Sequence, residues 1–258
     1  MASGLLKTLG VEFGPDSDLM PPNQFNAKGF FEHIQLNGIN VEIMVKFGGD
    51  WYAPPALAPG WEDSSQLDDI RKRAGERIQQ FFGNSKLWGF KDPRTCMTFR
   101  FWRKLLKDQV RVVVVGRNPI DSSRSLQEVQ RILASEASEL WLKHMVEAFL
   151  SSHGLPRHVM FYEDVLGHLG AELDRLGSFL GIQVTEQMRT EASRFMDDSL
   201  RHYESSVEDV AGGYGLPAKT RKAYLTIRTF VDVARTGALE PEDENNIERI
   251  LGEILTQG

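Results

Sequence analysis

Three segments of this sequence place charged side chains directly after runs of strand-forming residues. Residues 91–94 (KDPR) follow KLWGF, Arg117 follows the valine-rich segment VRVVVVG, and residues 163–164 (ED) follow HVMFY. In open α/β sheets, ligands bind beyond the carboxyl ends of the strands, so these positions are the first candidates for a site. Because two of the three segments supply cations, the chemistry that they suggest is the binding of an anion.

The segment GRNPIDSSRSLQE adds detail to this suggestion. Arg117 ends a strand, and Ser125 lies eight residues later on the helix that follows. The amino end of a helix carries N–H groups without partners, and the fork of an arginine fits a phosphate, so Arg117 and Ser125 could hold one together. Alternatively, Asp121 and Ser122 cap the helix, and Arg117 pairs with a nearby carboxylate. The spacing leaves both interpretations open.

The elements that must position these residues alternate between strand and helix. The patterns predict strands over 86–90, 110–115 and 158–162 and helices over 95–106, 135–152 and 164–180, with a further helix opening after Pro119. The run of valines is rich enough to be buried on both faces of a sheet. This alternation predicts a parallel sheet covered by helices, which is an α/β fold.

The rest of the chain is predicted as helices and two irregular loops. Loops occupy residues 14–31 and 48–61, and a helix over 32–47 is indicated by apolar residues at helical spacing, namely Ile34, Val41, Met44 and Val45. Helices are also predicted over 65–82 and in the last stretch, EPEDENNIERILGEIL. Residues 212–217 read as a hinge. Residues 1–10 resemble the second half of an amphipathic helix, with Gly10 at its carboxyl end.

Composition narrows the classes of protein to which the chain can belong. It has 258 residues and a net charge of -6, so no global basic field exists for a nucleic acid or an anionic membrane, and we expect neither partner. The single cysteine, Cys96, excludes an internal disulfide and a cysteine-rich metal site and indicates a reducing, cytoplasmic setting. We predict one domain with an α/β core over 1–182 and a helical extension over 183–258, although the length also allows two domains.

Several of these segments, taken in order, resemble one known family. The order Lys91, Phe101-Trp102, VRVVVVGRNPIDSSRSL, FYEDV and FLGI is similar to that of sulfotransferases that use 3′-phosphoadenosine 5′-phosphosulfate (PAPS), especially a bacterial branch with a KDPR segment. The resemblance covers about residues 5–182, including LGVEFGPDSDLMPP and GFFE. It implies a three-layer, P-loop-like fold with a central parallel sheet flanked by helices.

The resemblance also implies roles for particular residues in binding PAPS. Arg117 and Ser125 would bind the 3′-phosphate, and Tyr162 would lie near the adenine. Lys91 would contact the transferring sulfuryl group, assisted by Arg94. The alternatives are that Lys91 is a surface lysine paired with Asp92 and that Tyr162 covers the core.

A general base is the least well marked of the implied groups. Glu32 is the candidate and His33 is the second candidate, although residues at the head of a helix also serve as caps or surface groups. His202 could face the cofactor or the solvent. The acceptor would be a hydroxyl or an amine of a small molecule or glycan. The aromatic residues of the two loops would contact it or anchor the loops, and these are Phe25, Phe30, Phe31, Trp51, Tyr52 and Trp61.

The reaction implied by the resemblance is transfer of SO₃ from PAPS to the acceptor, with adenosine 3′,5′-bisphosphate as product. The protein would position donor and acceptor, stabilise the charge on the sulfuryl oxygens and remove the proton of the acceptor. No metal is expected, because the sequence has neither HExxH nor a compact His/Cys/carboxylate cluster.

One departure from the family pattern limits this expectation. The family's first strand and the loop that cradles the 5′-phosphosulfate have no counterpart beyond Ser3-Gly4, and the alignment places both upstream of Met1. We therefore expect the chain to bind the 3′ end of the nucleotide better than its 5′ end. In the family fold the first strand is central, so the two strands on either side of it should lack a partner here. We expect these two strands to separate, to pair with another molecule or to accept another segment between them.

Two other functions remain open at this stage. One is a catalytically inactive relative that binds a nucleotide. The other is a P-loop-type small-molecule kinase, against which stands the absence of a GxxxxGK[ST] segment.

Overall fold

The computed structural model describes residues 1–24, 26, 28–107, 110–196, 205–237 and 239–256. The chain is mixed α/β and 63% helical, with a parallel sheet of two strands in the part that is described. It divides into two compact units. Unit 1 comprises Met1–Val110 and Leu173–Phe195, and unit 2 comprises Arg111–Glu172 and Met196–Gly258. The single domain with a boundary at residue 182 stays a prediction, as does the three-layer arrangement.

Unit 1 is built from helices and long connections. Its helices are α1 (Ala2–Thr8), α2 (Ile34–Lys46), α3 (Asp68–Phe82), α4 (Thr95–Leu106) and α9 (Glu186–Phe195), and most of α8 (Leu169–Leu180) also belongs to it. Short 3-10 turns cover Asp16–Asp18, Trp61–Asp63 and Ser65–Leu67. The helices predicted over 32–47, 65–82 and 95–106 are confirmed within two or three residues at each end.

Helix α1 ends in a turn that requires glycine. The Gly10 N–H donates to the Lys7 carbonyl (3.0 Å), and the Val11 N–H donates to the Leu6 carbonyl (3.0 Å). These two bonds form a Schellman motif, which needs a left-handed residue, and Gly10 has φ +87°. The helix predicted at the start of the chain is therefore confirmed, with Gly10 one residue beyond its cap, Leu9.

The strand predicted over 86–90 is wrong. Its backbone pairing in the described chain is one isolated parallel bridge between Glu12 and Trp88. The apolar residues that suggested a strand pack against rings instead, since Trp88 stacks on Phe82 with ring centroids 4.4 Å apart and Phe90 contacts Trp102 at 4.8 Å. A short alternating run is consistent with either arrangement, and here burial of the side chains replaces strand pairing.

Of the four apolar residues whose spacing indicates helix α2, Met44 is buried and the other three are exposed. Ile34, Val41 and Val45 are exposed by 47%, 39% and 63%, respectively. The buried positions of α2 are Leu36, Asn37, Ile39, Asn40, Ile43 and Met44. The buried side of α2 includes two asparagines, which make the hydrogen bonds described below.

Unit 2 contains the sheet. Strands β1 (Val112–Gly116) and β2 (Arg157–Phe161) run parallel, with Gly116 opposite Phe161. Two helices connect them, α5 (Pro119–Gln130) and α6 (Ala134–Ser151). Val114 is buried but Val115 is 43% exposed, so the expectation that the valine run is buried on both faces is wrong.

The remaining helices follow β2 in the chain. They are α7 (Tyr162–Gly167), α8, α10 (Val207–Ala211), α11 (Ala218–Thr236) and α12 (Pro241–Thr256). The helix predicted over 164–180 is interrupted at His168, which ends α7 with φ −142°. The glycine-rich segment 212–217 separates α10 from α11, as predicted. None of the helices described is long and apolar enough to cross a bilayer.

Candidate functional site

In unit 1, Glu32 and Lys91 form a direct ion pair. The Lys91 Nζ lies 2.5 Å from the Glu32 Oε1, and the Asn37 Nδ2 donates to the Glu32 Oε2 at 3.1 Å. The Glu32 side chain is only 6% exposed, whereas that of Lys91 is 42% exposed. Two residues that the sequence analysis chose for separate roles are thus brought together.

The backbone before α2 positions Glu32. The Met20 N–H donates to the Glu32 carbonyl at 2.8 Å, which ties the first loop to the head of the helix. Phe31 has φ +54°, a conformation that is uncommon for an aromatic residue, and its ring packs edge-on against Phe13 and Phe195. This packing stabilises the unusual backbone, so the direction of the Glu32 side chain is determined by the core around it.

The alternative in which Lys91 is paired with Asp92 is wrong, because the partner of Lys91 is Glu32. Asp92 instead binds Arg94, whose backbone N–H and Nη1 donate to the Asp92 Oδ1 at 2.9 and 3.0 Å. Asp92 is 5% exposed and the Arg94 side chain 20% exposed. The KDPR segment therefore holds two cations, and each has a different carboxylate partner.

A buried asparagine on α2 connects this segment to α4. The Asn40 Nδ2 donates to the Asp92 Oδ2 (2.9 Å) and the Thr95 Oγ1 (3.1 Å). Its Oδ1 accepts from the Thr98 Oγ1 (2.6 Å) and the Trp102 Nε1 (2.7 Å). Sequence reasoning missed Asn40 and Asn37. The available signal was their occurrence in mid-helix, where asparagine is unfavourable without a specific partner.

Cationic groups gather near the start of α1. Burial, with further contributions from Lys91 and then Lys28, lowers the pKa of the Met1 amino group to about 6. The Lys28 ammonium donates to the Phe195 carbonyl and lies 4.9 Å from the centre of the Phe195 ring. Lys91 and Lys28 therefore both lie near enough to the start of α1 to disfavour a further positive charge there.

His33, the second candidate base, is enclosed by aromatic rings. It is 2% exposed, its ring centroid lies 4.1 Å from that of Phe81, and both ring nitrogens are buried without a hydrogen-bond partner. Burial lowers the pKa of His33, opposed by the charge of Asp18. The imidazole is thus held in its neutral form by its surroundings.

This environment makes the stability of the protein depend on pH. As the pH falls below 6.5, the pKa of histidine in the unfolded chain, His33 binds a proton in the unfolded chain more readily than in the folded chain. His33 should therefore lower the free energy of unfolding as pH falls, by at most about 1.4 kcal/mol per pH unit. We expect His33→Phe, which keeps the ring packing, to remove this loss. The measurement is the urea midpoint of both proteins at pH 7.5 and 5.5. An equal fall in midpoint for both proteins would contradict the assignment.

In unit 2, Arg117 and Tyr162 lie side by side at the ends of the two strands. The Arg117 guanidinium carbon lies 5.1 Å from the centre of the Tyr162 ring. The register of β1 and β2 explains this contact. Gly116 is paired with Phe161, so the residues that come next in the sequence, Arg117 and Tyr162, leave the two strands side by side. A Cβ at position 116 would approach the Phe161 ring to 2.6 Å, so the close approach also requires glycine.

The connection from Arg117 into α5 is rigid. The Trp141 Nε1 donates to the Arg117 carbonyl at 2.9 Å. Asn118 caps the helix, since its side chain accepts from the Ile120 N–H at 2.9 Å, so the proposed caps at Asp121 and Ser122 are wrong. Asp121 is 1% exposed and accepts from the Ser205 N–H at 3.2 Å.

Glu163 completes the environment of this helix end. The Asn118 N–H donates to its Oε1, while its Oε2 is buried without a hydrogen-bond partner. Burial raises the pKa of Glu163, and the hydrogen bond from Asn118 opposes that rise. Glu163 therefore helps to position the start of α5. The sequence indicated only that it follows a strand.

Ser125 lies half-buried on α5 and makes no hydrogen bond to Arg117. Its hydroxyl has no hydrogen-bond partner in the part of the chain that the structure describes. Tyr162, half-buried, begins α7. His202 and Phe25 lie outside the described residues. Among the other loop aromatics, Trp61 is 7% exposed, whereas Tyr52 is 40% exposed and its ring contacts that of Trp51 at 3.9 Å.

Comparison with known proteins adds no family to this geometry. No family model matches the chain. Neither the curated proteins nor the solved structures include a match. Within the residues described, no group of three His, Cys, Asp or Glu side chains is arranged to hold a metal ion. The function must therefore be argued from the two sets of residues above.

Proposed function

We propose that this protein is a PAPS-dependent sulfotransferase acting on a hydroxyl or amine of a small molecule or glycan. The observation that carries the proposal is the guanidinium of Arg117 stacked against Tyr162 at the ends of β1 and β2, beside the start of α5. Such an arrangement offers both a fork for a phosphate and an aromatic neighbour for a nucleobase. The three-layer, P-loop-like fold is part of the same proposal.

Unit 2 would hold the 3′-phosphate of the nucleotide. Arg117 would supply the fork, and its backbone is already fixed by Trp141. The Ser125 hydroxyl, which lacks a partner among the described residues, would donate to a phosphate oxygen. Tyr162 would lie near the adenine.

The resemblance implies that Lys91, Arg94 and Glu32 would act on the sulfuryl group and the acceptor. PAPS, when bound, supplies an activated SO₃ whose bond to the phosphate oxygen breaks as the acceptor oxygen or nitrogen bonds to sulfur. Lys91 would stabilise the charge on the sulfuryl oxygens, with Arg94 assisting. Glu32 would take the proton that leaves the acceptor, with His33 as the second candidate. In this proposal Lys91, whose side chain is 42% exposed, would exchange Glu32 for the anion.

A second candidate function is a relative that binds the nucleotide without transferring sulfate. It is favoured by the carboxylates that already neutralise both cations of the KDPR segment, Glu32 on Lys91 and Asp92 on Arg94. Both functions require the same nucleotide affinity in unit 2. Release of adenosine 3′,5′-bisphosphate from PAPS in the presence of acceptors distinguishes them.

The test is calorimetric titration with adenosine 3′,5′-bisphosphate. We expect the chain to bind it and Arg117→Ala to weaken binding by about 100-fold, because a charge-assisted bidentate contact to phosphate is lost. Arg124→Ala, on helix α5 that follows Arg117, is the matched control, since it removes an equal but exposed charge and should change the affinity less than about threefold. Absence of binding to the unaltered chain, or equal losses in the two variants, would refute the proposal.

A further inference from the structure

We propose that Asn40 is a positioning residue, a buried amide on α2 that orients the Asp92 carboxylate and thereby holds Arg94 in place for the sulfuryl group. This inference rests on the proposed function. Asn40 is 0% exposed and cannot touch a ligand itself, so its effect passes through Asp92.

The amide of Asn40 has all four of its hydrogen-bonding positions occupied. Its two N–H groups donate to Asp92 and Thr95, and its oxygen accepts from Thr98 and Trp102. The Trp102 Nε1 can only donate, so the amide orientation is determined and its N–H groups must face Asp92. The side chain therefore cannot rotate without losing several bonds in the interior.

Asp92 passes this constraint to the KDPR segment. Its Oδ2 is held by Asn40, and its Oδ1 accepts both the backbone N–H and the Nη1 of Arg94. With both oxygens engaged, the plane of the carboxylate and the side chain of Arg94 are determined together. The Asp92 carbonyl also accepts from the Thr95 N–H at 2.9 Å, which joins the segment to the first turn of α4.

The network is more polar than packing alone requires. Apolar residues of similar volume would fill the same interior without the free energy of desolvating a carboxylate, an amide, a hydroxyl and an indole N–H. The buried part of the network leads through Asp92 to Arg94, whose side chain is 20% exposed, and Lys91, which is 42% exposed, precedes Asp92 in the chain. A rigid buried support beneath cations that face solvent is the arrangement expected beneath an anion site.

The experiment compares the affinity of the full chain for PAPS with that for adenosine 3′,5′-bisphosphate. The two ligands differ only in the sulfuryl group, so their ratio reports on Lys91 and Arg94 and not on Arg117. We expect Asn40→Asp, which sets two carboxylates against each other, to lower the preference for PAPS about tenfold and to leave the affinity for the bisphosphate unchanged. Asn40→Ser, which only loses the contact, should lower the same ratio.

Two further variants separate positioning from general stability. The double variant Asn40→Asp with Asp92→Asn restores an amide–carboxylate pair in the reverse sense and should recover the preference for PAPS. Ile43→Val removes a methylene from the buried face of the same helix and should lower stability without changing the ratio.

The possible failures are distinguishable. If the unaltered chain binds neither nucleotide, both the proposed function and this inference fail. If the unaltered chain prefers PAPS and the Asn40 variants keep that preference, Asn40 has no positioning role. The same conclusion follows if the unaltered chain binds both nucleotides equally. In both cases the proposed binding of the 3′-phosphate by unit 2 still stands.

Discussion

Replacing Glu248 by alanine is expected to destabilise unit 2 by about 3–5 kcal/mol, because it leaves a buried arginine without its carboxylate. The Arg157 side chain is 1% exposed, and its Nη2 lies 2.9 Å from the Glu248 Oε1. The other acceptors of Arg157 among the described residues are neutral, namely the Phe149 carbonyl at 2.8 Å and the Ser152 Oγ at 3.0 Å. No group among these can compensate the buried charge.

The position of this pair in the fold increases its effect. Arg157 begins β2, and its guanidinium carbon lies 4.6 Å from the centre of the Phe149 ring on α6. Glu248 lies on α12, so the pair joins the last helix to the sheet. Loss of the carboxylate thus weakens the contact among three elements of unit 2.

Urea denaturation of matched variants on α12 tests this expectation. Glu253→Ala is the control, because Glu253 pairs with Arg249 at 2.5 Å on the same helix but both side chains are about half exposed or more, and the expected loss is at most about 0.5 kcal/mol. Glu248→Gln, which keeps an acceptor for Arg157, should fall between the two. Equal losses for Glu248→Ala and Glu253→Ala would contradict the expectation.

Replacing Asp164 by alanine is expected to lower stability by about 3 kcal/mol. Asp164 accepts two bonds from Arg228, at 2.7 and 3.1 Å, and one from Arg235 at 2.6 Å. Arg235 retains Glu172 at 2.7 Å, but Arg228, whose guanidinium carbon lies 4.6 Å from the Phe161 ring centre, loses its carboxylate. The side chains of Asp164 and Arg228 are each 13% exposed, so water cannot replace the lost contact fully.

A second partner of Arg235 provides the control for this prediction. Asp232 lies 3.6 Å from the Arg235 Nη1, and its side chain is 63% exposed, so Asp232→Ala should change stability by less than about 0.5 kcal/mol. The two free energies of unfolding are measured in urea under the same conditions. If Asp232→Ala is as destabilising as Asp164→Ala, the buried network does not carry the stability that its geometry indicates.

Within the motif FYEDV, the aspartate and the glutamate have structural partners in unit 2. The segment FYEDV was read as part of a nucleotide site, yet its aspartate binds two arginines of α11, 64 and 71 residues away. Its glutamate accepts from the Asn118 N–H and supports the start of α5. Only the tyrosine of the segment, in contact with Arg117, stays in the candidate site.

Local patterns predicted the helices well and the buried faces less well. Helix α4 begins and ends where predicted, because its apolar periodicity is strong. The same reasoning from spacing did not identify the buried side of α2, because the interior accepts Asn37 and Asn40 there and leaves Val45 exposed. It also read residues 86–90 as a strand, since side chains such as Trp88 are equally suited to a core against Phe82.

The sequence by itself determined most helices, the two parallel strands and the position of Arg117 at a strand end. These depend on periodicity and on residues that are neighbours in the chain. Only the tertiary structure decided which charged and polar side chains meet: Lys91 with Glu32 across 59 residues, Asp92 with Asn40 across 52, and Arg157 with Glu248 across 91. Partners so far apart are selected by how helices pack, because a buried charge is stable only where packing brings a complementary group within hydrogen-bond distance.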